Sequence, residues 1–221
     1  MDVRALAIDY DGTIAEDGRT PPATAAALAR VRASGRRLVL VTGRILDELR
    51  QVCDVDGMFD AVVAENGAVL YLPARGRPEP LGAAPEPALV AALAERGVEF
   101  KLGLSIVATL TRFAAAVRAA LRASGVRRRM EFNKDALMLL PPGITKGTGV
   151  QAALDALGVP PAAAAAIGDA ENDEPLLAAC GFGVAVADAV PALRSAARHV
   201  TRAPGSQGVV EFVEQFLLRG R

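Results

Sequence analysis

The sequence predicts an α/β fold: a doubly wound parallel sheet with a small α+β insert after the third strand region. Three observations predict it. Short apolar runs alternate with helical stretches, each run ends in polar residues, and the alternation breaks once, between two proline-rich segments.

Val3 to Ile8 is an apolar run that reads as a buried strand and stops at Asp9-Tyr10-Asp11-Gly12-Thr13. After a polar turn, Pro21-Pro22 opens an Ala-rich helix to Ser34, which Gly35 ends. Leu38 to Val41 is a second strand, running into Thr42-Gly43-Arg44 and a helix from about Ile45 to Cys53. Ala61 to Ala64 is a third, ending at Glu65-Asn66-Gly67.

The rhythm then stops. Pro78, Pro80, Pro85 and Pro87 mark a domain edge, and Pro141-Pro142-Gly143 marks another. Between them the pattern predicts a helix (Pro87 to Arg96), an extended segment (Glu99 to Leu110) and a second helix (Arg112 to Ala123). Two short strands follow, Arg129 to Phe132 and Ala136 to Leu140. The expected division is therefore a core over 1–77, an insert over 78–143 and the rest of the core over 144–221. The run Arg127-Arg128-Arg129 reads as a solvated edge, with a grip on an anionic substrate as the alternative.

From Lys146 to Leu157 a helix leads to a strand at Ala162 to Ile167, ending at Gly168-Asp169. Alanine favours helix by propensity, but the surrounding pattern calls for a strand there. Helix Glu171 to Ala179, strand Phe182 to Val186, helix Ala189 to Ala196, a short strand at His199 to Thr201 and a last helix to about Leu218 complete the chain.

Lysine plus arginine equals aspartate plus glutamate, 25 each, which argues against a nucleic-acid or anionic-membrane surface. No apolar stretch approaches a membrane span, and the charged N-terminus is unlike a signal peptide, so a soluble cytoplasmic protein is expected. Cys53 and Cys180 lack metal-ligand spacing and read as buried thiols in a reducing compartment.

On an extended strand, residues i and i+2 point the same way, so Asp9 and Asp11 are expected to face one pocket. Two carboxylates that close repel; a cation should sit there, or one of them should hold a proton. A calcium loop is excluded because a strand precedes the pair and later oxygen ligands are missing. In a parallel α/β sheet, ligands bind beyond the carboxyl ends of the strands. Every polar cluster, from Asp9/Asp11 through Thr42-Gly43 and Glu65-Asn66 to Gly168-Asp169-Ala170-Glu171-Asn172-Asp173, falls at such an end.

These motifs, in this order and with Lys146 after the insert, resemble the four motifs of the haloacid dehalogenase (HAD) superfamily. Glu65-Asn66-Gly67 and the position of the insert resemble the type IIB-capped, Cof-like phosphatases. Length and the small cap are similar to archaeal-type phosphoglycolate phosphatases. The resemblance covers the whole core; the cap matches only by position and pattern.

It implies a Rossmann-like core and a Mg²⁺-dependent phosphomonoester hydrolase acting through an aspartyl-phosphate on a small phosphorylated metabolite. Phosphoglycolate is the first expectation and a sugar phosphate the second. By the same resemblance Asp9 is the nucleophile and Asp11 the general acid and base. Asp9, Asp169 and the Asp11 carbonyl would hold Mg²⁺, with Asp173 supporting the metal or Lys146; hard oxygen ligands suit that ion. Thr42, Gly43, Lys146 and Asn172 would bind phosphate.

Arg44 is open between a substrate contact and a bridge to the cap, and Glu65 and Asn66 between the substrate and the turn before Gly67. Asp188, where many relatives have Asn, would add a charge at the rim. His199 reads as structural. A phosphomutase of the phosphomannomutase type is the rival among enzymes, and a non-catalytic phosphate-binding module the rival outside them.

Overall fold

A computed structural model describes residues 2–218. In chain order the elements begin with β1 (Ala5–Asp9), α1 (Pro22–Ala33), β2 (Arg37–Val41), the short helices α2 (Leu46–Leu49) and α3 (Val55–Met58), and β3 (Ala61–Ala64). Next come β4 (Val69–Tyr71), β5 (Pro78–Pro80), α4 (Pro87–Ala94), β6 (Lys101–Leu102), β7 (Val107–Leu110), α5 (Ala114–Ser124), β8 (Arg129–Asn133) and β9 (Ala136–Leu140). The chain closes with α6 (Lys146–Leu157), β10 (Ala164–Gly168), α7 (Glu174–Ala178), β11 (Phe182–Ala185), α8 (Pro191–Ala196), β12 (His199–Val200), α9 (Gly205–Phe212) and a π-helical turn, Val213–Leu217.

Eight strands form the large sheet in the order β12-β11-β10-β1-β2-β3-β4-β5. The six from β12 to β3 run parallel, with Ile8 of β1 beside Ile167 of β10 on one side and Leu40 of β2 on the other. The order reverses between β1 and β10, so their carboxyl ends frame the crevice where such sheets bind ligands. Residues of β1, β3 and β10 are buried throughout, as strands covered on both faces must be. The alanines of β10 obey the sheet rather than their helical propensity; their small side chains admit close packing of the helices on either side.

Two antiparallel strands, β4 and β5, extend the edge beyond β3. The parallel sheet expected for the core gains these two strands at one edge, and the expected boundary at residue 78 cuts into them, since Pro78–Pro80 pairs with β4. Prolines fit an edge strand because it has a side with no ladder partner to supply. The chain turns from β3 into β4 through Glu65 and Asn66, at φ 55° and 54°, and Gly67 at 103°. A side chain on Gly67 would strike the Thr145 carbonyl at the start of α6, so only glycine lets this turn sit there.

The second sheet is antiparallel, in the order β6-β7-β9-β8. Val107, Leu137 and Leu139 point to one face and pack with Leu89 and Leu93 of α4 and Val117 of α5. The alternate residues face the large domain: Met138 and Leu140 cluster with Ile106 and with Ala68, next to the β3–β4 turn. On β8 the same alternation puts Met130 against the helices and turns Arg129 and Glu131 toward the core.

Two buried side chains tie the sheets together. The carboxylate of Glu65 accepts the backbone N–H groups of Leu104 (2.8 Å), Ser105 (2.9 Å) and Ile106 (3.1 Å). Arg128 donates to the Ser105 carbonyl, to the carbonyls of Ala83 (3.0 Å) and Ala84 (2.6 Å), and to Glu86 (2.9 Å). The reading of Arg127-Arg128-Arg129 as a solvated edge is corrected for Arg128, whose side chain is buried at the joint between the two sheets. Its guanidinium supplies the donors that loop carbonyls at a buried hinge require.

Candidate active site

At the carboxyl end of β1 lies Asp9, 4% exposed, and at that of β10 lies Asp169. Lys146, the first residue of α6, is buried beneath them. Its Nζ is 2.6 Å from Asp9 Oδ1 and 2.6 Å from Asp173 Oδ1. The other oxygen of Asp173 accepts the N–H groups of Asp169 (3.0 Å) and Ala170 (3.1 Å), so this carboxylate fixes both the lysine and the loop after β10. Thr13 donates its hydroxyl to Asp169 Oδ1 at 3.2 Å. Nothing local in the sequence around Thr13 signals this partner at the end of another strand.

Asp9, Asp169 and Asp173 offer carboxylate oxygens within 4.8 Å of one another. Burial, with the charge of Asp173 adding to it, holds the Asp9 carboxyl well above the usual carboxylate range, although Lys146 opposes the shift. Asp169 is raised for the same first two reasons. For Lys146 burial alone would lower the value, but Asp173 and Asp9 outweigh it and keep the ammonium firmly protonated. A hard-oxygen set with surplus negative charge fits a divalent ion such as Mg²⁺. Asp173 has both oxygens tied to Lys146 and to backbone N–H groups, whereas Asp9 meets Lys146 at one oxygen and Asp169 makes only the Thr13 hydrogen bond and a long pair with an exposed lysine. Gly12, at φ 87°, lays its backbone against the Asp169 carboxylate, where a Cβ would collide.

Asp11 lies apart from Asp9 in its bonding. Arg44 clasps it with Nε at 2.8 Å and Nη2 at 2.6 Å. The two acids meet different cations: Lys146 balances Asp9, and Arg44 balances Asp11. Of the two alternatives for Arg44, the bridge to the cap is corrected, for its carboxylate partner is Asp11 on the core.

Thr42 is buried and its hydroxyl accepts the Arg44 N–H at 3.1 Å, leaving its own proton to donate. Met138 reaches over from β9, with Sδ 3.4 Å from the place a side chain on Gly43 would occupy. Asn66 donates to that sulfur (3.2 Å) and accepts from Asn172 Nδ2 (3.1 Å), while Asn172 Oδ1 is buried without a partner. Glu65 and Asn66 thus make the turn and also meet the cap. A cavity of about 280 Å³ adjoins the acid cluster, between Asn66, Lys146 and Asn172 on the core and Arg129 and Glu131 on the cap. Glu171 and Glu174 complete its acidic side.

Asp188, expected at the rim, and His199, expected to be structural, both serve the fold. Asp188 accepts the N–H of Gly205 at 2.9 Å, at the start of α9, so its charge is spent on a helix terminus. His199 packs edge-on against Phe216, 4.8 Å between centroids, in a cluster with Phe182 and Phe212.

The family model for haloacid dehalogenase-like hydrolases matches residues 6–77 and 108–213. A phosphoglycolate phosphatase of Methanothermobacter thermautotrophicus is 36% identical over 222 residues, covering 97% of this chain and 99% of its own. One from Aeropyrum pernix is 31% identical, covering 97% and 94%. Among solved structures, a haloacid dehalogenase-like hydrolase from Bacteroides thetaiotaomicron superposes with a TM-score of 0.80 at 19% identity, covering 96% of this chain and 98% of its own. A subclass IIB sugar phosphatase of the same superfamily gives 0.78 at 20%, covering 97% and 99%. With motif-bearing strand ends meeting around one buried lysine, and with relatives aligned nearly end to end, the chain belongs to the haloacid dehalogenase-like hydrolases.

Proposed function

We propose that this protein is a Mg²⁺-dependent phosphomonoester hydrolase acting on a small phosphorylated metabolite, with 2-phosphoglycolate as the first substrate. The observation that carries the reading is the contact of Lys146 with both Asp9 and Asp173 beside Asp169. Asp9 is the nucleophile. Lys146 orients its carboxylate at one oxygen and leaves the other to attack phosphorus in line, forming a phosphorylated aspartate. An ammonium has three N–H bonds; two meet carboxylates, and the third is available to a phosphoryl oxygen.

The Thr42 hydroxyl, the Gly43 N–H and the Asn172 amide complete the set of phosphate contacts. Asp11 protonates the leaving alkoxide and then takes a proton from the attacking water, with one prong of its clasp with Arg44 opening to free an oxygen and the other holding the acid in place. Mg²⁺, held by Asp9, Asp169 and the Asp11 carbonyl, would neutralise phosphate charge. Asp173 acts through Lys146 and the loop after β10.

In this reading the core runs to Pro80 and resumes at Ile144, and the segment between is the cap that excludes water over the site. The protein acts in the cytoplasm, which suits its two free cysteines. No helix among the described residues is long and apolar enough to cross a membrane.

A sugar phosphate is the second reading, favoured by the acceptors Glu131, Glu171, Glu174 and the unpartnered Asn172 Oδ1 around the cavity. Such a lining suits hydroxyl donors.

The test is phosphate release from 2-phosphoglycolate, sugar phosphates and p-nitrophenyl phosphate with Mg²⁺, by wild type and Asp9→Asn. Release by wild type and none by the variant is expected; unchanged turnover would refute the nucleophile. Release without any bisphosphate activator separates a phosphatase from a phosphomutase. Binding of phosphate and Mg²⁺ with no turnover of any substrate would leave a binding module.

A further inference from the structure

The geometry points to Lys134, at the tip of the cap hairpin, as the residue that receives a second anionic group on the substrate. The inference rests on the phosphatase reading above and names what that site selects: a phosphomonoester whose alcohol portion carries a carboxylate.

The turn between β8 and β9 sets Lys134 at φ 52°, a left-handed conformation found at tight hairpin turns. The hairpin lies across the mouth of the site. Met138, further along β9, rests against Gly43 and Asn66, and Lys134 Nζ stands 3.8 Å from Asp169 Oδ2. That is its one ion pair among the described residues, and the lysine side chain is 70% exposed, so it can swing.

Three other cations on or beside this face of the cap are committed. Arg128 is buried in the hinge, and Arg129 pairs with Glu131 and donates to the Ile144 carbonyl at 2.8 Å. Lys101 pairs with Glu48. A divalent ion on Asp169 competes with Lys134 for the same carboxylate. The flexible, solvated ammonium is the partner that gives way, to the next anion within reach. On a small substrate held by its phosphate, that anion is the carboxylate of the leaving group.

The experiment compares 2-phosphoglycolate with ethyl phosphate, a similar ester lacking the carboxylate, in wild type, Lys134→Met and Lys134→Arg. Wild type is expected to prefer 2-phosphoglycolate. Lys134→Met should reduce the ratio of the two kcat/KM values by about tenfold or more, as loss of a charge-assisted hydrogen bond does, with KM carrying the change. Lys134→Arg should restore most of the ratio. An unchanged ratio, an equal fall for both substrates, or a wild type without preference would overturn the assignment.

If wild type hydrolyses neither ester, the reading of 2-phosphoglycolate as substrate fails by itself. Calorimetric binding of the same two compounds in the presence of Mg²⁺ then decides the role of Lys134. Tighter binding of 2-phosphoglycolate that Lys134→Met abolishes supports it, and equal affinities overturn it. A melting curve for each variant confirms the fold.

Discussion

Arg44 holds the Asp11 carboxylate in a two-pronged clasp, 2.8 Å from Nε and 2.6 Å from Nη2. The guanidinium also lies over the Tyr10 ring, 5.3 Å from its centre, which fixes the plane of the fork. The acid assigned to the leaving group is thus oriented by a side chain from the next strand end, in a pairing that lysine could not reproduce.

Arg44→Lys should therefore impair turnover according to how much the leaving group needs a proton. We expect kcat on an alkyl phosphate to fall about tenfold, and on p-nitrophenyl phosphate by much less. Parallel losses on the two esters would show that Arg44 does not position the acid.

Glu65→Ala should loosen the cap. It strips three buried N–H groups, those of Leu104, Ser105 and Ile106, of their acceptor. The expected destabilisation is about 3 kcal/mol, read from urea unfolding. Arg128→Met removes donors from the carbonyls on the other side of the same loop, so the double variant should fall short of the sum of the single ones. Strict additivity would mean that the two side chains support separate units.

Mg²⁺ should stabilise the fold more at pH 8 than at pH 5.5. Because the folded-state pKa of Asp9 is raised, its favourable contribution is complete below about pH 4 and is lost as pH rises through the folded value. Asp169 behaves alike. A cation bound to the ionised pair reverses that loss, so the gain in Tm on adding Mg²⁺ should grow with pH. A gain that is the same at both pH values would place the ion elsewhere.

Both thiols should resist alkylation while the protein is folded. Burial, with Asp54 adding to it, pushes Cys53 up to about 11, and burial pushes Cys180 up to about 12. At pH 8 the thiolate fraction is then roughly one in a thousand or less. Iodoacetamide should label neither cysteine in native buffer and both in urea; mass spectrometry of the native protein would reveal a mark on either.

Much of the core was readable because its signals are local. A strand covered on both faces is a short apolar run, and a parallel strand must end where polar residues can meet a ligand; Asp9, Thr42, Asn66 and Asp169 all announce themselves this way. Asp11 shows the limit of that reasoning. The i, i+2 rule holds only while the backbone stays extended, and β1 ends at Asp9, so that rule carries no information on the pairing of Asp11 with Arg44. The edge strands β4 and β5 escaped notice because three residues carry too short a pattern and prolines read as breaks. The face of β8 turned to the core, Arg129 and Glu131 alternating with Met130, was present as a period of two, but its meaning depended on which face met the core.

What the sequence determined alone is the order of the strands' polar ends and the chemistry of the groups they carry, since burial and backbone periodicity act within a few residues. Tertiary structure decided which cation answers which acid, Lys146 for Asp9, from 137 positions away, and Arg44 for Asp11, and which cap-loop N–H groups the Glu65 carboxylate accepts. Pairings of that kind depend on distances of a few ångströms between segments remote in the chain, and charge attraction selects among them only after the sheet has brought those segments together.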